Sequence, residues 1–433
     1  MDFQESTGFQ IGSIRVEGEE IKEIFVSLEV FEHCYSSGIT ASLIVIETPS
    51  NQVLSDLGIE GNELVEIEID TPGEQSFIWK CFINKIANRI VNPNGQITYS
   101  IDLVSALIRE NEQKFINRKY KKMKPRTIIN NVLEVINKDA EITTETDVMK
   151  GEGLPMEFVA ANFHPVKTIH YVQRHGVPTI KGGKSYVQDG NQDATASGTG
   201  GFIYTETLKG IRFGTLVEFI DGELSNSERR EFRQSLSGDK TKEDDRASIL
   251  SFNVVQNNDS QNQQRSGSYK SKMVSFDIDT GDYVEQTWDS ESATEKQKRT
   301  SKTPTRTFNR IFNPEKDGNT CDRVGPRGDQ SRQSMQQQAG SINNFTDTVC
   351  QFTLPIHPEV SVGDKIKTTI FMVDVDTASK IDNKYSGDWI VSAVGHSYSV
   401  LNAGAYTRLT CVRPTNVQSD SDSGADFSSK IKM

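Results

Sequence analysis

The sequence predicts an α+β protein, mainly β, with two antiparallel β-barrel domains and smaller helix-containing domains. Apolar and polar residues alternate in short runs through residues 10–108, the period of half-buried strands. After Pro125 the spacing changes to three and four, the period of a helix. Alternation then returns at Gly201 and closes the chain.

In residues 1–110, the first barrel, Val26, Leu28 and Val30 alternate with Ser27 and Glu29. Val65, Ile67 and Ile69 alternate with Glu66, Glu68 and Asp70. Phe77 to Ile90 reads as a strand pair. Ile97, Tyr99, Ile101 and Leu103 follow the turn at Asn92-Pro-Asn-Gly95. Six or seven short strands separated by turns fit an antiparallel barrel or sandwich.

Residues 111–200 read as a helix-containing domain. Thr127 is placed to cap a helix carrying Ile128, Ile129, Val132, Leu133 and Ile136. A second helix is expected from Pro165 to His175, ended by Gly176 and Pro178. Residues 182–200 are rich in Gly, Ser and Asp and read as a loop.

Residues 201–256 hold strands of a second β region. Phe202 and Tyr204 lie in one strand, Lys209-Gly210 turns it, and Leu250, Phe252 and Val254 form another. Residues 257–344 read as a polar insertion. Gln256 to Gly267 is almost wholly Gln, Asn, Ser and Asp and is too polar to make a core. Tyr269 to Thr287 reads as a hairpin with Val274, Phe276 and Ile278 on one face and Thr280-Gly281 at its turn. A polar helix is expected from Asp329 to Ala339.

Residues 345–413 supply the closing strands of the second barrel. Phe352 begins a strand, Gly363-Asp364 turns the chain, and Gly387 to Arg413 forms two strands reversed at Asn402-Ala403-Gly404. Trp389, Val391 and Ala393 share one face of the first arm. Residues 414–433 read as a flexible tail. The sequence contains no tandem repeat, but the two β regions are candidates for distant structural copies.

At 433 residues the chain is long enough for two to four cores. A hydrophobic content of 35% and a mean hydropathy of −0.52 are low for a compact enzyme and fit long polar insertions or wet assembly surfaces. No run approaches the ~20 apolar residues of a membrane span. The N-terminus has neither the basic nor the apolar segment of a secretory signal. Five scattered cysteines fit reduced thiols and no disulfide framework. The net charge of −12 argues against tight nonspecific DNA binding, which is driven by cations.

The charge is reversed locally. Arg109, Lys114, Arg118, Lys119, Lys121, Lys122, Lys124 and Arg126 stand against Glu110 and Glu112. Such a run is a solvated or partner-facing surface. A nucleic-acid groove is the other reading, and Phe115 and Tyr120 lie within the run, but no base-stacking motif does. Lys119, Lys121, Lys122, Lys124 and Arg126 are the partner-contact candidates.

Chemistry finds little footing. His164, His170 and His175 have metal-ligating side chains, but the last two are five apart and leave a helix on different faces. His33 and Cys34 are adjacent and face opposite sides of a strand. His396 reads as a residue satisfying a strand or corner hydrogen bond. Gly198-Thr-Gly-Gly201 lacks the Lys-Ser/Thr of a phosphate loop. No carboxylate pair stands in a recognisable glycosidase setting. No catalytic, cofactor-binding or metal residue is assigned, and no cofactor is expected.

Three stretches carry a resemblance. They are Phe202-Ile-Tyr-Thr-Glu-Thr-Leu-Lys-Gly-Ile-Arg-Phe-Gly-Thr-Leu216, Gly267-Ser-Tyr-Lys-Ser-Lys-Met-Val-Ser-Phe-Asp-Ile-Asp279, and the closing stretch with Gly363-Asp364, His396 and Tyr406-Thr407. In order and spacing the chain resembles the central baseplate hubs of T-even-like contractile phages, and the hub region of type VI secretion spike proteins. The polar stretches at 221–267 and 285–330 are longer than in that pattern. The resemblance implies two tail-tube-like barrels per chain and a homotrimeric ring in the virion tail baseplate, assembled in the host cytoplasm. That ring would adapt a sixfold tail tube to a threefold cell-puncturing spike and form part of the DNA conduit. The implied partners are the chain itself, the spike protein and a tail-tube or tube-initiator protein. The tape-measure protein is a further candidate, and DNA is passing cargo. No catalysis and no stable membrane insertion are implied. Phe427 and Ile431 in the tail are candidate contacts to the spike. The competing readings are a cell-wall hydrolase with β-rich modules, and a tube initiator or spike-type component.

Overall fold

The computed structural model describes residues 10–70, 77–153, 155–178, 201–234, 246–257, 260–268, 270–277, 281, 283–289, 303–312, 348–372, 380–400 and 404–413. The statements below concern these residues. The protein is α+β and mainly β.

The first β region has strands Gln10–Val16, Phe25–His33, Thr40–Glu47, Leu64–Asp70, Phe77–Val91 and Ile97–Ser105. Numbered first to sixth along the chain, they lie in the order first, fourth, fifth, sixth, third, second, and all neighbours are antiparallel. The alternation seen in the sequence becomes an inner face of Val65, Ile67, Ile69, Ile101, Leu103, Leu43 and Val45, all almost fully buried. Burying such side chains stabilises the region by ~1.5–3 kcal/mol each. Phe77 to Ile90 is not a strand pair. It lies within one 15-residue strand, which bends at two bulges, after Ile83 and after Ile86, and so needs no turn.

The second β region repeats this plan. Its six main strands are Arg230–Gln234, Ser251–Asn257, Thr348–Pro355, Lys365–Thr369, Gly387–Ser399 and Gly404–Arg413. They again run first, fourth, fifth, sixth, third, second. All are antiparallel except the first, which is parallel to the fourth. The register repeats as well. Leu64 lies opposite Phe82 and the fifth strand bulges after Ile83; Lys365 lies opposite Ile390 and the fifth strand bulges after Val391. The two regions share one strand order and differ in the direction of the first strand.

These copies are not separate sheets. Ala393–Ser399 pairs with Ser27–His33, joining both into one 14-stranded sheet. The fifth strand of the second copy is therefore covered on both edges. Its buried residues include the consecutive Trp389, Ile390 and Val391, whereas Ala393 is only half-buried, so the simple alternation through Ala393 fails at the bulge.

A third core holds the helices. Pro125–Asn137 and Pro165–His175 pack together over the paired strands Ile116–Met123 and Met156–Phe163. Ile128, Ile129, Val132 and Ile136 are fully buried, at the predicted spacing. Thr127 does not cap the first helix. The N-cap is Lys124, because Pro125 fits the first helical position, where its missing N–H costs nothing.

In the polar insertion, Ser260–Ser266 forms a short helix within the segment read as low complexity. Lys270–Asp277 pairs antiparallel with Tyr283–Asp289 as expected, and parallel with Arg306–Phe312. The buried face is the opposite one from that expected. Ser271, Met273 and Ser275 are covered while Phe276 is exposed, because a third strand and two buried serines form the inner side. The helix expected at Asp329–Ala339, the loop at 182–200 and the tail at 414–433 lie outside the described residues.

Candidate functional site

The three cores meet at a hairpin, Phe202–Thr207 with Gly210–Thr215, whose residues are nearly all buried on both faces. A hairpin covered on both sides loses the alternating pattern and carries polar groups that must find partners inside. Arg212 is the central one, with a side chain 0% exposed. Its Nε donates to Asp147 Oδ2 at 2.7 Å. One terminal nitrogen donates to Asp364 Oδ1 and to the Val362 carbonyl, each at 2.7 Å. The turn that brings this carbonyl and carboxylate together needs Gly363, whose φ is +94°. Burial opposes ionisation of Asp364, but Arg212, Lys209 and hydrogen bonds from Ser225 and the Ser361 amide outweigh it and hold the acid below its usual range.

Two further acids join the copies through this hairpin. Glu32, on the second strand of the first copy, accepts the Leu208 amide of the hairpin turn at 2.7 Å and the Val362 amide of the second copy at 3.0 Å. Glu206 accepts the Ser105 hydroxyl at 2.5 Å and the Ile39 amide at 3.1 Å, both of the first copy and both on Oε2. Burial pushes each acid up to about 7, against the hydrogen bonds they accept. Midway along the Ala393–Ser399 pairing, opposite Val30, burial lowers His396 to about 4, and its Nδ1 lies 3.0 Å from the Thr407 hydroxyl. Thr407 also accepts the His357 amide at 2.8 Å.

Glu206 therefore holds a proton between pH 4.5 and about 7 that the unfolded chain releases. Its contribution to stability is complete below pH 4.5 and is lost as pH rises through 7. Glu206→Gln keeps one oxygen for both donors and removes the titration. Its melting temperature should change less than the parent's between pH 5 and pH 8, and should exceed it at pH 8 by the equivalent of ~2–3 kcal/mol. Parallel melting curves for the two proteins across that range would refute this.

The candidate residues of the basic run are placed on Ile116–Met123 and the start of the adjoining helix. Arg109, Lys114, Lys119 and Lys124 pair with Glu141, Glu110, Glu157 and Glu152. Among the described residues no ion pair involves Lys121, Lys122 or Arg126; of the run's two aromatics, Phe115 is exposed, whereas Tyr120 is buried in the third core. Phe427 and Ile431 lie outside the described residues. No group of three or more His, Cys, Asp or Glu able to hold a metal occurs among the described residues. His164 contacts the Asn111 carbonyl, His170 approaches Ser37, and His175 packs on Tyr171. Cys34 is buried, and burial pushes its thiol up to about 12.

Of the three resembling stretches, the structure brings two together. The hairpin Lys209-Gly210 and Arg212 meet Gly363-Asp364, with Lys209 Nζ 3.7 Å from Asp364. Glu32 and Glu206 were not singled out by sequence reading. Their only signal was an acid at an inward position of a strand, Glu32 in phase with Leu28 and Val30.

No known family profile matches the chain, and no curated protein sequence matches it. Solved structures do. The tail protein from Neisseria meningitidis MC58 is 10% identical with a TM-score of 0.53, over 94% of this chain and 96% of that one. The 43 kDa tail protein of prophage MuSo2 from Shewanella oneidensis is 9% identical with a TM-score of 0.53, over 94% and 98%. The chain has the fold of these tail proteins. The likeness runs nearly end to end in both.

Proposed function

We propose that this chain is the structural hub of a contractile-tail baseplate, a homotrimeric ring that adapts a sixfold tail tube to a threefold spike and lines part of the DNA path. The observation that carries the reading is the duplication: one chain presents two units of the same strand order and register, joined edge to edge. Three chains then present six similar units, which is what a sixfold tube requires of a threefold adaptor. A head-to-tail contact that closes by rotation makes such a ring. The near full-length likeness to tail proteins supports the same reading. The chain's role is mechanical, and its buried acids serve the joint. Its net charge of −12 keeps passing DNA from adhering to the wall.

The mass of the assembled full-length particle tests this. A particle of three 48.3 kDa chains is expected. Six chains would favour a tube initiator, and a monomer with turnover on peptidoglycan would favour a cell-wall hydrolase.

The spike protein binds the tail around Phe427 and Ile431, and the basic face of Lys119, Lys121, Lys122, Lys124 and Arg126 meets an acidic neighbour in the baseplate. Deleting residues 418–433 should abolish co-purification with the spike protein. Changing Lys121, Lys122 and Arg126 to Glu should block baseplate assembly while leaving the fold intact. Unchanged binding in the first case, or normal baseplates in the second, would remove that contact from the proposal.

A further inference from the structure

The joint inside the chain also describes the joint between chains. In the second copy, the fifth strand beyond its bulge leaves the fourth strand and pairs Ala393–Ser399 with the second strand of the first copy. The equivalent arm of the first copy is the end of Phe77–Val91. It leaves its fourth-strand neighbour at Phe82 and, among the described residues, has no partner on that edge beyond Ile83. The second strand of the second copy, Ser251–Asn257, pairs among the described residues only with Thr348–Pro355, and no described strand lies on its other edge. One unit thus lacks the arm's partner and the other lacks the edge's partner, and each is the counterpart of what the intrachain joint already uses.

Burial agrees. Val394, His396, Ser397 and Tyr398 are buried under the intrachain joint, whereas on the corresponding arm Lys85 and Ala87 to Val91 are exposed and only Ile86 is half-covered. Ile90 and Val91 are 56% and 57% exposed, an apolar end on a bare edge. On the other side, Leu28 and Val30 are buried, but their counterparts Phe252 and Val254 are only half-buried, and Val255 is 53% exposed. A long, exposed, apolar edge invites another strand.

We infer that the Lys85–Val91 arm of one chain pairs antiparallel with Ser251–Asn257 of a second copy of this chain. The contact repeats the Ala393–Ser399 joint and closes three chains into a ring of six units. The registers fix the pairs. Val91 lies opposite Ile97 as Tyr398 lies opposite Ala405, and Phe252 lies opposite Phe352 as Leu28 lies opposite Leu43. Because Tyr398 faces Leu28 and Ser397 faces Glu29, Val91 faces Phe252 and Ile90 faces Asn253 across the chains. The occupant is another copy because the matching arm and edge sit on the same polypeptide, one on each unit.

This inference rests on the trimeric reading and goes further in naming the contact. Full-length Ile90→Cys/Asn253→Cys, mildly oxidised, tests it, since directly opposed residues lie within disulfide reach, about 4.5–5.5 Å between Cα atoms. Covalent dimers and closed covalent trimers, reversed by reductant and absent from either single variant, are expected. In parallel, Val255→Lys, at an exposed position, should keep the parent's circular dichroism and shift the particle from trimer to monomer. A trimer that gives no cross-link and tolerates Val255→Lys overturns this contact while the hub reading stands. A parent protein that is monomeric or sixfold overturns both.

Discussion

Replacing Arg212 with methionine is expected to destabilise the protein by about 3–5 kcal/mol, the largest loss among single changes at the joint. Arg212 is fully enclosed, and it is the cation facing both Asp147, 11% exposed, and Asp364, 7% exposed. Methionine fills much of the space but leaves the desolvated Asp147 without its counter-charge and Asp364 with only the more distant Lys209, and it frees the Val362 carbonyl. The penalty comes from the stranded acids rather than from the value of the ion pairs themselves, since a buried pair only roughly balances its own desolvation. Arg212→Met combined with Asp147→Asn and Asp364→Asn should therefore regain much of the loss. Asn226 already donates to Asp147, and Ser225 and Ser361 to Asp364, so the amide oxygens keep acceptor roles. Hydrogen exchange of the Gly210–Thr215 amides gives a local readout suited to a chain with several cores. Exchange no faster in Arg212→Met than in the parent would contradict the assignment.

Trp389→Ala should cost a similar ~3–5 kcal/mol by opening a cavity in the second copy. The indole is 0% exposed, its Nε1 donates to the Tyr385 carbonyl at 3.1 Å, and its ring meets Phe352 edge-on with centroids 5.7 Å apart. The Arg413 guanidinium lies 4.2 Å from the ring centre and donates to the Ser386 and Lys384 carbonyls. Removing the ring strips a cation–π contact from a buried arginine as well as packing from the core. Trp389→Phe retains an aromatic face and loses only the hydrogen bond and part of the volume, so its cost should be less than half as large. Urea denaturation of the three proteins separates these outcomes; equal midpoints for Trp389→Ala and the parent would show that the ring does not hold the second core. Because Trp389 stands just before the bulge that sends Ala393–Ser399 to the first copy, the alanine variant should also loosen the joint.

Local chemistry was readable where one face of an element meets a core. Leu64–Asp70 and Ile97–Ser105 alternate in the sequence and in burial, and Ile128 to Ile136 fall inward at helical spacing. The reading failed where both faces or edges are covered. Trp389, Ile390 and Val391 are buried in succession, and the hairpin at 202–215 hides Thr205, Glu206 and Arg212 among its aromatics. It also failed at Met273, where a third strand decided which side of a hairpin faces inward. Of the joint, Gly363-Asp364 and Lys209-Gly210 could be picked out as turns, but their meeting could not, since they are separated by about 150 residues.

The sequence by itself determined the strand and helix periods, the acidic balance and the local basic run, because each depends on neighbours along the chain or on composition alone. Only the tertiary structure decided that two β regions with little visible kinship share one strand order and one register. It alone also placed Glu32, Glu206 and Arg212 together at the seam. Duplicated topology is preserved through which positions are buried and which backbones pair, as Ala41 and Cys350 or Ile83 and Val391 do, and not through residue identity. A buried charge likewise acquires its meaning from partners that arrive from distant parts of the chain.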